Sequence, residues 1–130
     1  MHDLPDPEIT AENKAFWVAA GEGRLLVKQC GACGRHHHYP RAICPFCWSC
    51  DTVWQEASGR GTIYSFSVLR RAAEPYVIAY VTLGEGPAMM TNIVDCDPDA
   101  LRCGEDVTVA FTTSRGGHAV PVFRPAADRR

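Results

Sequence analysis

With 130 residues, 46% hydrophobic and 22% charged, the chain has the composition of one ordinary globular domain, not of a disordered or fibrous protein. A chain this long buries roughly two-thirds of its unfolded surface, enough for one modest core and not for two independent ones. The net charge of -2 and pI near 6.2 argue against a nucleic-acid coat, and the acidic, Pro-rich start MHDLPDPEIT has neither the basic region nor the apolar run of a secretory signal.

The first predicted element is a helix within residues 1–23. Asp6 is placed to cap it and Pro7 suits its first position. Ile9, Asn13, Phe16, Trp17 and Ala20 share one face, and Gly21 or Gly23 ends it. Phe16 and Trp17 either pack on the next unit or lie on a partner protein. Leu25-Leu26-Val27 reads as a strand entering a cysteine-rich zone that runs to residue 53. Further strands are read at Trp54–Ala57, at Thr62–Leu69 with Tyr64, Phe66 and Val68 on one side, and at Tyr76–Leu83 and Ala88–Val94. An acidic connector at 96–106 leads to a hairpin of Val107–Thr113 and Ala119–Phe123. Closely spaced strands with one longer excursion suit a small five-stranded barrel of the OB type. The residues after Arg124 read as a flexible tail.

Five of the seven cysteines crowd into residues 30–50. In a chain without an export signal such clustering indicates metal binding in the cytoplasm, not a disulfide framework. Cys30-Gly-Ala-Cys33 and Cys44-Pro-Phe-Cys47 are two pairs in which one tight turn aims two sulfurs at one ion, and together they supply a tetrahedron. Four thiolates favour zinc, and iron fits the same geometry. Cys47 with Cys50 is an alternative second pair. His36, His37 and His38 fall between the pairs, at the exposed tip of such a ribbon, and read as solvated loop residues. Four protein ligands leave no open position, so the metal is structural.

No nucleophile-elbow, zinc-protease or phosphate-loop motif occurs. Cys96 and Cys103 flank the acidic connector, whose charge opposes thiolate formation, and His118 has no partner in the sequence pattern. Residues 24–50 carry Arg24, Lys28, Arg35 and Arg41 and no acid, and Arg70-Arg71 follows a predicted strand. These cations form a solvated basic face or a seat for a polyphosphate, such as coenzyme A, or for nucleic acid.

The order of Phe16-Trp17, Gly23-Arg24-Leu25, Cys30-x-x-Cys33-Gly34, Tyr39-Pro40-Arg41, Cys44-Pro45-x-Cys47-x-Ser49, Trp54 and Ser58-Gly59-x-Gly61-Thr62-Ile63-Tyr64-Ser65 resembles the zinc-ribbon OB-fold family associated with thiolases and acyl-CoA metabolism. The resemblance implies a mainly β chain. Residues 1–23 are then an N-terminal helical segment, 24–53 a rubredoxin-like zinc ribbon and 54–124 a C-terminal five-stranded OB-fold barrel, with a flexible tail at 125–130. It also implies a non-catalytic partner of a thiolase-superfamily enzyme in lipid metabolism, for thiolysis, condensation or retro-aldol cleavage, including steroid side-chain degradation. Such a hetero-oligomer shares an acyl-CoA site, here with Arg41, Arg70 and Arg71 as candidates for the coenzyme A phosphates. Cys30, Cys33, Cys44 and Cys47 are the expected zinc ligands, with no catalytic residue and no membrane contact. The alternatives are a single-stranded nucleic-acid binder using Tyr64, Phe66, Tyr76 and Tyr80 as stacking platforms, and a free-standing acyl-CoA carrier.

Overall fold

Alternating and continuous apolar runs over residues 60–125 make strands, and these strands close on themselves. The computed structural model describes residues 4–71 and 73–126; of the expected tail at 125–130, Pro125 instead ends the last barrel strand, paired with Val107, and 127–130 lie outside the described residues. The elements are α1 (Lys14–Gly21), β1 (Leu26–Cys30), β2 (His36–His37), β3 (Thr52–Glu56), β4 (Arg60–Leu69), β5 (Tyr76–Leu83), β6 (Ala88–Ile93), β7 (Asp106–Thr113) and β8 (Ala119–Pro125). Strands β2-β1-β3 form a small sheet. Strands β4-β5-β6-β8-β7 form a closed barrel, antiparallel except where β6 meets β8 at Ile93 and Phe123. This is the Greek-key closure of an OB barrel. β3 spans the expected junction between residues 53 and 54 and pairs with β1 from Leu26–Glu56 to Cys30–Thr52, so it belongs to the ribbon sheet.

Barrel closure depends on β4, which pairs with β5 from Gly61 to Leu69 and with β7 from Arg60 to Thr62. Gly61 takes part in both ladders. A Cβ there would stand 2.6 Å from Val81 Cγ1 and 2.7 Å from the Thr82 carbonyl oxygen. The register of β4 against β5 shifts between Ile63 and Ser65. The extra residue turns Tyr64 out of the barrel, 72% exposed, whereas Ile63 is buried and Phe66 and Val68 pack against the core. Tyr64 therefore does not share a face with Phe66, as simple alternation predicted. In the acidic connector a short 3-10 helix at Pro98–Ala100 is capped by Asp97, whose Oδ1 accepts from the Asp99 N–H at 3.1 Å.

One apolar core joins the parts: Phe16 of α1, Leu25 and Val27 at the ribbon base, and Ile63, Val77, Val81, Val107 and Phe123 of the barrel. The helix starts at Lys14, later than the Asp6-Pro7 signal predicted. The Asp6 carboxylate is used elsewhere: Oδ1 accepts from Ser114 Oγ and from the Gly116 N–H, each at 2.6 Å, clipping the leader to the β7–β8 hairpin. Ile9 lies before the helix and is exposed, whereas Asn13, Phe16 and Ala20 are buried and Trp17 is half-buried. The aromatic face of α1 is thus consumed by packing inside the chain and is not a free docking face.

The three histidines also depart from expectation. His36 and His37 form β2 and pair with Gln29 and Lys28. His37 is buried, and His38 packs against Phe16 and Tyr39 with ring centroids 5.6 and 5.4 Å away. His36 bonds outward to Gln55 of β3, whereas His38 lies at the seam between ribbon and helix because the loop between the cysteine pairs folds back onto α1. There Asn13 Nδ2 donates to the Tyr39 hydroxyl at 2.7 Å, and the Ala42 N–H donates to Glu12 Oε2 at 2.7 Å. His38 Nδ1 has no hydrogen-bond partner. Burial, then the charges of His37 and Arg41, push its pKa from 6.5 down to about 4.

Two outcomes follow. Gly61→Ala strains the shared ladder and costs about 2 kcal/mol in chemical denaturation. The fold keeps His38 neutral, so its contribution is complete above pH 6.5 and is lost as pH falls from 6.5 to about 4. That loss is on the order of 3 kcal/mol, and His38→Phe flattens this part of the stability–pH curve measured at saturating zinc.

Candidate metal centre

The two cysteine pairs fold into equivalent knuckles with matching backbone hydrogen bonds. In the first, the Ala32 and Cys33 N–H groups donate to Cys30 Sγ at 3.3 and 3.4 Å, and Gly34 N–H donates to the Cys30 carbonyl at 2.9 Å. In the second, Phe46 N–H donates to Cys44 Sγ at 3.4 Å and Trp48 N–H to the Cys44 carbonyl at 2.9 Å. Each knuckle is closed on its outer side, by Cys30 N–H to the Arg35 carbonyl at 2.9 Å and Cys44 N–H to the Ser49 carbonyl at 2.8 Å. Residues 30–35 and 44–49 therefore correspond one to one. In each pair the first cysteine is buried and the second exposed.

The four sulfurs lie within 4.8 Å of one another, with Cys30–Cys47 at 3.5 Å and Cys33–Cys44 at 3.7 Å. A tetrahedron of thiolates about 2.3 Å from a zinc ion has edges of about 3.8 Å, so the donor set fits zinc by number, chemistry and spacing. Cys50 is exposed and outside this group, so the alternative pairing with Cys47 is not the one the fold assembles.

The site is electrically prepared. The Cys33 and Ala32 N–H groups, against the effect of burial, draw the Cys30 thiol down to about 6. The four protons cannot all leave unaided. Although the Ser49 N–H lowers it, the neighbouring sulfurs and burial push Cys47 up to about 12. A divalent cation relieves that repulsion, and binding it releases protons.

The first knuckle places Gly34 at φ +79°, and the second places Trp48 in the same slot at φ +69°. Left-handed backbone costs a residue with a Cβ roughly 1–2 kcal/mol. Trp48 is nevertheless 82% exposed, with Phe46 and Ile43 half-exposed beside it. Sequence reasoning passed over Trp48. Its signal was available in the parallel between Cys33-Gly34 and Cys47-Trp48, where one knuckle has glycine and the other the largest side chain.

The remaining candidates are dispersed. Arg41 lies over the Tyr39 ring and pairs with Glu12 at 3.9 Å. Arg70 pairs with Asp99 at 2.6 Å, and Arg71 is exposed in the turn after β4. Lys28 is buried, its Nζ 4.5 Å from the Trp54 ring centre. Burial, then Glu105, Asp97 and Asp95, push the Cys96 thiol up. His118 is exposed, and its backbone N–H donates to Ser114 Oγ. A cavity of about 590 Å3 lies between the leader and α1, bordered by Asn13, Trp17, Tyr39 and Arg41 but not by Arg70 or Arg71. A second, of about 390 Å3, shares Trp17 and Tyr39 and reaches Tyr80 and Met90 on the barrel.

The helix, the four-cysteine ribbon and the closed barrel define a zinc-ribbon OB-fold protein. Residues 17–53 match the family model described as ChsH2, rubredoxin-like zinc ribbon domain, and residues 54–112 the one described as ChsH2, C-terminal OB-fold domain. A DUF35 domain-containing scaffold protein of Methanothermobacter thermautotrophicus is 36% identical over 98 residues, covering 70% of this chain and 74% of that protein. The benzoylsuccinyl-CoA thiolase subunit BbsA of Geobacter metallireducens is 32% identical over 113 residues, 82% of this chain and 76% of the relative. A probable enoyl-CoA hydratase alpha subunit of Thermomonospora curvata is 36% identical over 127 residues, 94% of this chain, but the chain spans only 40% of that protein's length. One chain of a solved Ltp2-ChsH2(DUF35) aldolase superposes with a TM-score of 0.82 at 37% identity, over 94% of this chain and all of that one. The chain belongs to the DUF35 family, of the ChsH2 type.

Cys44→Ser is expected to abolish stoichiometric zinc in elemental analysis and to unfold the ribbon, because the metal supplies the folding energy of so small a sheet. Near-ultraviolet circular dichroism then loses the Trp48 and Trp54 signals, whereas Cys50→Ser keeps both the zinc and the spectrum.

Proposed function

We propose that the chain is a non-catalytic accessory subunit of a thiolase-superfamily enzyme, a thiolase or retro-aldolase acting on acyl-CoA thioesters, in a hetero-oligomer. The observation that carries this reading is the full-length match, at 37% identity, to one chain of the Ltp2-ChsH2(DUF35) aldolase. The relatives named as a scaffold protein and a thiolase subunit support it. The chemistry of the chain agrees. The metal is zinc, held by Cys30, Cys33, Cys44 and Cys47, and a zinc ion with four protein ligands offers no open position to a substrate. Clustered thiolate ligands suit a reducing compartment, which supports a cytoplasmic location; none of the described helices is long and apolar enough to cross a membrane. The partner supplies the nucleophile, and this chain orders the complex.

The acyl-CoA site is shared. Arg41 borders the larger cavity, beside the carboxylates of Asp6, Glu8 and Glu12, and is assigned a phosphate contact once a partner has drawn it from Glu12; Arg70 and Arg71, away from that cavity, are the weaker candidates. Steroid side-chain degradation is one pathway that uses this reaction class. The nucleic-acid alternative retains Tyr64 and Tyr80, exposed on the barrel, but a chain of net charge -2 is poorly suited to a polyanion.

The test is reconstitution. The chain alone is expected to turn over no thioester, and the thiolase-like or aldolase-like enzyme that co-purifies with it is expected to need it in stoichiometric amount for full activity. Arg41→Ala raises the KM of that complex for acyl-CoA roughly 5-fold, matching the loss of about 1 kcal/mol for a partly exposed charge-assisted contact. Thioester turnover by the lone chain, or full activity of the enzyme without it, contradicts the proposal.

A further inference from the structure

Trp48 stands where the equivalent knuckle uses glycine, in left-handed backbone, with 82% of its surface in solvent. Local folding does not call for it, since Gly34 fills the same slot with the same backbone hydrogen bond. Nor does the core, since Trp48 is absent from it. Its neighbours are apolar as well. Phe46 is 50% exposed and Ile43 52%, and all three ride on the segment that the metal cluster fixes. A rigid, exposed Trp costs little side-chain entropy when it is buried by a partner, and Trp and Arg dominate interface hot spots.

The charges around the patch restrict its occupant. Of the four cations in residues 24–50, Arg24 pairs with Glu22 and Glu56, Arg41 pairs with Glu12, and Lys28 is buried. Arg35 makes no ion pair among the described residues, and its guanidinium lies over the Phe46 ring at 4.8 Å. A second copy of the chain, docked patch to patch, sets Arg35 against Arg35. Nucleic acid finds one phosphate-binding cation there, too few for the electrostatic affinity such ligands depend on. An apolar pocket with a carboxylate at its rim satisfies both the Trp and the Arg.

Resting on the accessory-subunit reading, we infer that Trp48, flanked by Phe46 and Ile43 and steered by Arg35, is the anchor by which the ribbon docks into an acid-rimmed apolar pocket of the catalytic partner subunit. The second knuckle is then an interaction surface as well as half of a metal site.

The test measures affinity between the full-length chain and the thiolase-like or aldolase-like enzyme that co-purifies with it, by calorimetry. Trp48→Gly copies the first knuckle and is expected to keep wild-type zinc content and a thermal midpoint no lower than wild type, since glycine relieves the left-handed strain. Its Kd for the enzyme rises roughly 30-fold or more, the size of an interface hot spot. Trp48→Asn, which tolerates the same backbone, gives the same loss, and Trp48→Phe recovers most of the affinity. Arg35→Glu weakens binding further and reverses its salt dependence. If Trp48→Gly and Trp48→Asn bind as tightly as wild type, the anchor is refuted while the accessory role stands. If the wild-type chain binds no such enzyme, both are refuted. If the substitutions instead abolish binding of a single-stranded oligonucleotide and leave the enzyme complex intact, the patch serves nucleic acid and the inference fails.

Discussion

The convergence of four cysteine sulfurs is the constraint on which the rest of the chain depends. The ribbon sheet has one strand of two residues and two of five, too little to bury a core of its own. Its shape is set by two knuckles that deliver Cys30, Cys33, Cys44 and Cys47 within 4.8 Å of one another. The backbone N–H groups that hold the sulfurs also favour their ionisation, so folding and metal chemistry use the same hydrogen bonds. Between the knuckles the chain makes a detour, and Tyr39 and Ala42 hydrogen-bond to Asn13 and Glu12 of the helical segment.

That detour joins ribbon, helix and barrel into one body. Phe16 lies at the meeting point, buried and in ring contact with Trp17, His38 and Tyr39. Burying a side chain of this size contributes roughly 2–3 kcal/mol. Because one core runs from Leu25 and Val27 into the barrel, the ribbon is held in a fixed relation to the β-strands. Such stiffness suits the proposed accessory role, in which the partner supplies the reactive groups. The reactive-looking Cys96 sits where burial and acidic neighbours oppose thiolate formation.

Much of this was legible in the sequence, and the failures have physical causes. The cysteine spacing identified the site because a two-residue gap has few ways of aiming two sulfurs at one point. Tyr76–Leu83 was read to the residue, since a continuous apolar run between turns admits little else in a small barrel. The helix start was misjudged because Asp6 and Pro7 satisfy a local capping rule, while the long-range bonds of Asp6 to Ser114 and Gly116 have no sequence signature. Tyr64 was misplaced because one bulge residue reverses an alternation that periodicity assumes to be unbroken. The histidines were read as solvated because polar residues between knuckles normally are. His37 is instead buried in the ribbon sheet, and His38 is packed against Phe16, which lies 22 residues away in the chain.

The account is tested most directly at the metal itself. X-ray absorption at the zinc edge of the purified full-length chain should show a single shell of four sulfur neighbours at about 2.3 Å. A shell containing a histidine nitrogen at about 2.0–2.1 Å, or a protein that is folded and carries no zinc, contradicts it.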